Sequence, residues 1–153
     1  MFKKGIFTIY IDTELAWGTF DHGGHIRYRD AYSKYRLIVR KMLDLFKNYA
    51  ISATWAVVGH LFLEKCCREN GVAHPLIIRP AYGWFRNDWF AYDPASDISA
   101  DNFWYGRDIV EMIKKSSIPH EIASHSFSHI IFSDPGCSLE AAESDISECV
   151  MLA

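Results

Sequence analysis

The chain has 153 residues, of which half are hydrophobic and 23% are charged. This balance excludes intrinsic disorder, which requires few apolar residues and a high net charge. Sixteen basic against nineteen acidic residues give a net charge of −3, so the chain has no global positive field that would attract nucleic acid. No apolar run approaches the ~20 residues that a membrane-spanning helix needs.

The cellular compartment is predicted from the start of the chain and from its cysteines. Lys3 and Lys4 precede a short apolar stretch that meets Asp12 without the small residues of a signal-peptide cleavage site. The four cysteines show no C-x-x-C spacing, and the adjacent Cys66 and Cys67 favour reduced thiols over a disulfide framework. We therefore expect a cytoplasmic protein without an export signal.

The first half of the chain predicts two strands separated by a helix. Residues 6–11 form an apolar, β-branched run of the kind found in strands that are buried on both faces. Apolar residues at helical spacing predict a helix over 31–49, with Asp30 as its N-cap. A second apolar and β-branched run predicts a strand over 51–58.

Helices dominate the prediction for the second half. A helix is predicted over 60–69, ending at the Asn70-Gly71 stop signal. A further helix over 105–116 leads into a short strand over 121–124, and Ser138 caps a last helix that runs to Ala153. This alternation indicates an α/β fold with parallel strands and right-handed crossover helices.

The chain is predicted to be a single domain over 1–153 that carries an insertion over 72–102. The insertion has no clear period and is too long for a plain connector. The last helix is still amphipathic at Ala153 and has no C-cap signal, so we expect the domain to be truncated at its C-terminus.

Two polar clusters directly follow predicted strands, where α/β folds place their chemistry. Asp12 and Glu14 follow the first strand, and their i, i+2 spacing points both carboxylates the same way in extended chain. His125 and His129 follow the strand over 121–124, and their H-x-x-x-H spacing suits two ligands on one ion. Together the clusters supply a carboxylate and two imidazoles for a catalytic divalent metal, and a second carboxylate as base.

Three stretches resemble the polysaccharide deacetylases, the NodB-homology carbohydrate esterases. They are F-T-I-Y-I-D-T-E over 7–14, A-T-W-A-V-V-G over 53–59 and H-E-I-A-S-H-S-F-S-H over 120–129. The third stretch is the most specific. Trp55 replaces the usual Phe of the second stretch, and the first has D-x-E in place of the commoner pair of adjacent aspartates.

The resemblance implies the N-terminal portion of a distorted (β/α)7 barrel that hydrolyses N-acetyl groups of a surface polysaccharide or its sugar precursor. It implies that Asp12 is the general base that activates a metal-bound water. Glu14, His125 and His129 are implied as the metal ligands, with zinc as the expected ion. The family's arginine motif and general-acid histidine have no counterpart before Ala153. Two alternatives stay open, namely a metal-independent amidohydrolase of small cyclic amides and a non-catalytic metal- or sugar-binding remnant.

Tryptophans near the acids and in or beside the insertion are candidate substrate contacts, because aromatic faces stack on sugar rings. The candidates are Trp17, Trp84, Trp89 and Trp104. The alternative is that the insertion packs its own small hydrophobic cluster. The expected partner is an N-acetylated carbohydrate, with neither nucleic acid nor a membrane span. Because only three strands are predicted, an open sheet edge also suggests a homo-oligomer.

Overall fold

The computed structural model describes residues 5–152, so Ala153, where the last helix was predicted to end, lies outside the described residues. Five strands are present in this part of the chain: β1 (Tyr10–Thr13), β2 (Thr54–Val57), β3 (Arg68–Glu69), β4 (Val72–Ala73) and β5 (Glu121–Ser124). Four α-helices accompany them: α1 (Gly24–Arg27), α2 (Arg29–Tyr49), α3 (Arg107–Lys114) and α4 (Leu139–Leu152). Short 3-10 turns cover Leu15–Gly18, Phe20–His22 and Gly59–Phe62.

Three of the strands form one parallel sheet in the order β1-β2-β5. The last residues of the three strands, Thr13, Val57 and Ser124, lie at the same level in this register. The mixed α/β architecture with parallel strands is therefore confirmed. The described residues form an open three-stranded sheet, and the barrel stays an expectation from the resemblance.

Helix α2 begins one residue before Asp30, and Tyr28 occupies its N-cap position without a side-chain cap. The predicted Asp30 cap is therefore wrong, and this carboxylate lies in the first turn, where it complements the helix dipole. The helix ends at Tyr49, as predicted, because Ala50 adopts a left-handed conformation. The Ile51 N–H then donates to the carbonyl of Phe46 at 2.9 Å.

The other predicted strands and helices agree with the structure to different degrees. Strand β5 has the predicted bounds, and α3 and α4 lie within the predicted helices. Strand β1 lies later than the predicted 6–11, because β2 pairs with residues 10–13. Residues 6 and 7 precede this pairing, and their side chains are 66% and 87% exposed.

The helix predicted over 60–69 does not form. The chain makes a single 3-10 turn at Gly59–Phe62 and then the β3–β4 hairpin, which is closed by Asn70 and Gly71. Both turn residues have positive φ, at 50° and 83°, as a two-residue hairpin turn of the Asn-Gly kind requires. The dipeptide that indicated a helix stop in the sequence is thus a hairpin turn in the structure.

The core lies between the sheet and the helices and extends into the aromatic-rich insertion over 72–102 (the aromatic segment). Trp55 on β2 is fully buried and packs against Phe46 of α2. Its indole Nε1 has no hydrogen-bond partner among the described residues. A buried unpaired N–H carries a desolvation cost that an apolar ring of similar size would avoid. None of the helices in residues 5–152 has the length and apolar character needed to cross a bilayer.

We predict that Trp55→Phe destabilises the fold much less than Trp55→Ala. The Phe ring keeps most of the packing and removes the unpaired N–H, whereas Ala leaves a cavity that costs about 3–5 kcal/mol. Denaturant unfolding of the two variants and the wild type measures the difference. Equal losses in the two variants would contradict the packing role assigned to the ring.

Candidate functional site

The two strand-end clusters meet at the C-terminal edge of the sheet. Glu14 follows β1, His125 follows β5, and His129 lies four residues further on. The Nε2 atoms of His125 and His129 lie 2.9 Å and 3.1 Å from the same oxygen, Oε1 of Glu14. One ligand atom from each of the three side chains falls within 4.8 Å of the others. The structure therefore brings together the three residues that the resemblance implied as metal ligands.

Asp12 borders this triad without entering it. Its Oδ1 lies 3.9 Å from Nδ1 of His125, and half of its side chain is exposed. The side chains of Glu14, His125 and His129 are about one quarter exposed. Asp12 is thus the more accessible carboxylate, beside the imidazole and open to solvent.

Glu14 and His125 stabilise each other's charged forms. Hydrogen bonds with His125 and His129 lower the pKa of Glu14 to about 2, against the opposing effect of partial burial. The hydrogen bond with Glu14 raises the pKa of His125. An ionised carboxylate that faces two imidazole nitrogens is a set of donors suited to a divalent cation, as in zinc sites with two His and one carboxylate.

The backbone around the triad is strained. Leu15, Ser126 and His129 have φ values of 51°, 59° and 59°, in the left-handed region that side chains other than glycine rarely occupy. The first two directly follow Glu14 and His125. Such conformations cost of order 1–3 kcal/mol each and concentrate at functional sites.

Gly18 allows the Glu14 carboxylate to lie where it does. The 3-10 turn Leu15–Gly18 folds back over the acid, and a Cβ at position 18 would lie 1.8 Å from Oε2 of Glu14. A side chain at this position would therefore displace the carboxylate. Nothing in the spacing of Gly18 along the sequence indicates this role.

Asp145 is a second residue that sequence reasoning missed. Its buried carboxylate accepts hydrogen bonds from the backbone N–H groups of Phe127 and Ser128, at 2.5 Å and 3.0 Å, and from the Ser128 hydroxyl at 2.7 Å. It thereby fixes the loop between His125 and His129 (the histidine loop). The signal was its position on the buried face of α4, in line with Ala141 and Cys149.

Three of the four candidate tryptophans lie in the core. Trp17, Trp89 and Trp104 are at most 8% exposed. The indole N–H of Trp17 donates to the carbonyl of Trp104, and that of Trp89 donates to the carbonyl of Ser128. This geometry corresponds to the packing alternative, in which the rings form a hydrophobic cluster and do not offer free faces to a sugar.

Trp84 differs, because it is about half exposed and lies close to the loop that follows His129. Its indole N–H donates to Asp134 at 2.9 Å, and its ring stacks on Tyr82. An open cleft of about 350 Å³ lies on the same loop and is lined by both imidazoles and by residues 130–132. Phe132, half exposed, contributes an aromatic ring to this cleft that sequence reasoning did not single out.

The family model for polysaccharide deacetylase matches residues 12–151. The chain belongs to the polysaccharide deacetylase family. This membership implies deacetylase activity in general, with an amide as the hydrolysed bond and an acetylated carbohydrate as the substrate. The family is generally metal-dependent. Searches of curated proteins and of solved structures found no match to this chain.

We predict that Gly18→Ala lowers the pKa of His125 in the metal-free deacetylase domain. The added methyl displaces the Glu14 carboxylate, which holds that pKa above the ordinary value of about 6.5. His125 of the variant should therefore lose its proton at lower pH than in the wild type. NMR titration of the imidazole signals in chelator-treated protein measures the shift.

Gly83→Ala is the matched control for this substitution. A Cβ at position 83 meets nothing within 4 Å, so the same chemical change leaves the His125 titration at its wild-type value. A Gly18→Ala protein with an unchanged His125 titration would show that position 18 does not set the carboxylate.

Proposed function

We propose that this protein is a metal-dependent N-deacetylase of a surface polysaccharide or its sugar precursor. The observation that carries the proposal is the convergence of two imidazole Nε2 atoms on Oε1 of Glu14, at 2.9 Å and 3.1 Å. The three residues come from the ends of two different strands, inside the span that the family model matches. Metal identity, with zinc proposed first, and the role of each residue belong to this proposal.

Glu14, His125 and His129 would hold the ion. Two imidazoles and one carboxylate form one of the ligand sets of catalytic zinc, which leaves a further position open. The partial exposure of all three side chains agrees with a site that a substrate can reach. When bound, a divalent ion would acidify a water molecule and polarise the acetamide carbonyl.

Asp12 is proposed as the general base. Its carboxylate is solvent-accessible and lies 3.9 Å from Nδ1 of His125. It therefore lies beside the triad and is not one of the three proposed ligands. In this position it takes the proton from the attacking water as the bond to the acetyl carbon forms. The free amine and acetate are the products of that hydrolysis.

The substrate would approach over the loop that follows His129. Trp84 and Phe132 offer exposed aromatic rings there, and a sugar ring stacks on such faces. Trp84 is held by Asp134 of this loop, so its position is fixed relative to the cleft. Substrate contact by Trp17, Trp89 and Trp104 is not part of the proposal, because these rings are buried.

The homo-oligomer expected from the sequence remains a proposal. β1 and β5 are the outer strands of the described sheet, and Tyr10 on β1 is 60% exposed. An outer strand with apolar exposure can pair with a second chain. Size-exclusion chromatography with light scattering determines the oligomeric state.

We predict that His125→Ala removes one metal ion per chain and abolishes acetate release from an N-acetylated oligosaccharide. The substitution deletes one of three donors, and the remaining pair does not complete the ligand set. Metal analysis of protein purified without chelator, together with an acetate assay, measures both effects. His22→Ala is the control, because His22 is exposed and its imidazole pairs with Asp21. Equal metal contents in wild type and His125→Ala would refute the ligand assignment.

We predict that Asp12→Asn retains the metal and lowers the rate of deacetylation by about 10²–10⁴-fold. An amide preserves the shape of the side chain and cannot take a proton from water. Asp44→Asn, at an exposed position on α2, is the control for a lost carboxylate. Loss of the metal in Asp12→Asn would make Asp12 a ligand instead of the base. Turnover that survives complete chelation would favour the metal-independent amidohydrolase.

A further inference from the structure

A second cluster of metal-ligating side chains lies in the protein interior, away from the Glu14 triad. It consists of His60, Cys66, His74 and Asp93, with one ligand atom of each within 4.8 Å of the others. They come from the 3-10 turn after β2, the segment before β3, the residue after β4, and the aromatic segment. The family resemblance assigned no role to any of the four.

Four of the six distances between ligand atoms of this cluster lie close to the edges of a tetrahedral zinc site. Nε2 of His60 and Nε2 of His74 lie 3.1 Å and 3.0 Å from Oδ2 of Asp93. Sγ of Cys66 lies 3.5 Å from the same oxygen and 3.8 Å from Nε2 of His60. Ordinary zinc bond lengths place tetrahedral N and O ligands about 3.3 Å apart, and S about 3.6 Å from N or O. The four ligand atoms therefore form one compact group, with the two remaining pairs within 4.8 Å of each other.

The hydrogen bonds of His60 are compatible with a metal ion beside Asp93. Nδ1 of His60 lies 3.2 Å from the carbonyl oxygen of Trp104, which can only accept, so Nδ1 carries the proton. In the neutral ring Nε2 then has a lone pair, which faces the lone pairs of the Asp93 carboxylate. Either a second proton on the ring or a metal ion between Nε2 and the carboxylate removes this repulsion. Because the side chains of His60 and Asp93 are completely buried, water does not screen it.

The surrounding groups hold the ligands in place. The Ser96 N–H donates to the hydroxyl of Tyr105, whose own proton is then free for Sγ of Cys66 at 3.2 Å. The other carboxylate oxygen of Asp93 accepts from the Ala95 N–H at 2.8 Å. Partners of this kind orient metal ligands in known sites.

We propose that His60, Cys66, His74 and Asp93 bind a zinc ion with a structural role. A thiolate combined with imidazoles selects zinc over magnesium or calcium, which prefer oxygen ligands. Four protein donors close a tetrahedral site and leave no position for a substrate, and the His74 side chain, at 11% exposure, is shielded as well. The proposal is independent of the catalytic assignment of the Glu14 triad.

The ion would join segments that few regular elements connect. It ties the aromatic segment, through Asp93, and the end of the β3–β4 hairpin, through His74, to the turn that follows β2. The His60 ring also packs on Trp17 at 4.5 Å between ring centroids, and the backbone N–H of Trp17 donates to the carbonyl of Glu14. The structural site thus supports the turn on which Glu14 is placed.

X-ray absorption spectroscopy at the zinc edge of the His125→Ala protein tests the proposal. This variant lacks a ligand of the Glu14 triad and retains the buried cluster. We expect one zinc ion per chain with a sulfur neighbour at ~2.3 Å. Adding Cys66→Ser should abolish the sulfur signal, whereas adding Cys67→Ser, at the adjacent exposed cysteine, should leave it unchanged. Zinc without a sulfur neighbour, or no zinc at all, overturns the proposal and identifies a hydrogen-bonded cluster.

Cobalt substitution and thiol reactivity give measurements that do not depend on a folded cluster variant. Wild-type protein loaded with cobalt should show a near-ultraviolet thiolate-to-cobalt charge-transfer band, since the Glu14 triad contains no sulfur. Reaction of Cys66 with a thiol reagent should be slow with zinc bound and accelerate when a chelator removes it. The absence of the band, or labelling of Cys66 that is equally fast with and without chelator, contradicts the site.

Discussion

The parallel register of the three strands is the constraint on which the candidate active site depends. Because Thr13, Val57 and Ser124 end their strands at one level, the next residues of β1 and β5, Glu14 and His125, face each other across β2. Neighbouring strands are about 4.8 Å apart, so roughly 9–10 Å separates the two outer backbones. The long side chain of Glu14 and the imidazole of His125 span this gap and meet at 2.9 Å. This reach gives a physical reason for the D-x-E pattern.

The sequence correctly predicted the parallel strands and the strand ends at which polar side chains meet, and it predicted some of the surrounding elements wrongly. Short apolar runs indicated the strands, and polar residues directly after them indicated the edge at which side chains meet, as Glu14 and His125 do. The prediction of a helix over 60–69 was wrong because its stop signal, Asn70-Gly71, is also a preferred hairpin turn. Local sequence does not distinguish the two. The prediction of Asp30 as the N-cap of α2 was wrong because the helix already begins at Arg29.

In the aromatic segment, composition alone does not distinguish rings that bind a sugar from rings that fill the core. A ring that stacks on a sugar and a ring that fills a core are the same residue type, and their difference lies in burial and in the partner of the indole N–H. Trp89 donates to Ser128 of the histidine loop from inside the core, whereas Trp84 keeps an exposed face. The cluster around Asp93 was hidden for a related reason. Its four members are spread from residue 60 to residue 93 without any periodic spacing, and only the tertiary structure brings them together.

A buried carboxylate holds the strained loop between His125 and His129 in place. Ser126 and His129 adopt left-handed conformations that cost of order 1–3 kcal/mol each. Asp145 accepts from the backbone N–H groups of the two residues between them, and these bonds partly offset the burial that raises the pKa of its carboxyl. The Gly59 N–H adds a bond to the carbonyl of Ser126 at 2.8 Å. The loop therefore keeps both imidazoles aimed at Glu14 through interactions with α4 and with the turn after β2. The geometry of the triad is thus a property of the surrounding fold as much as of its three side chains.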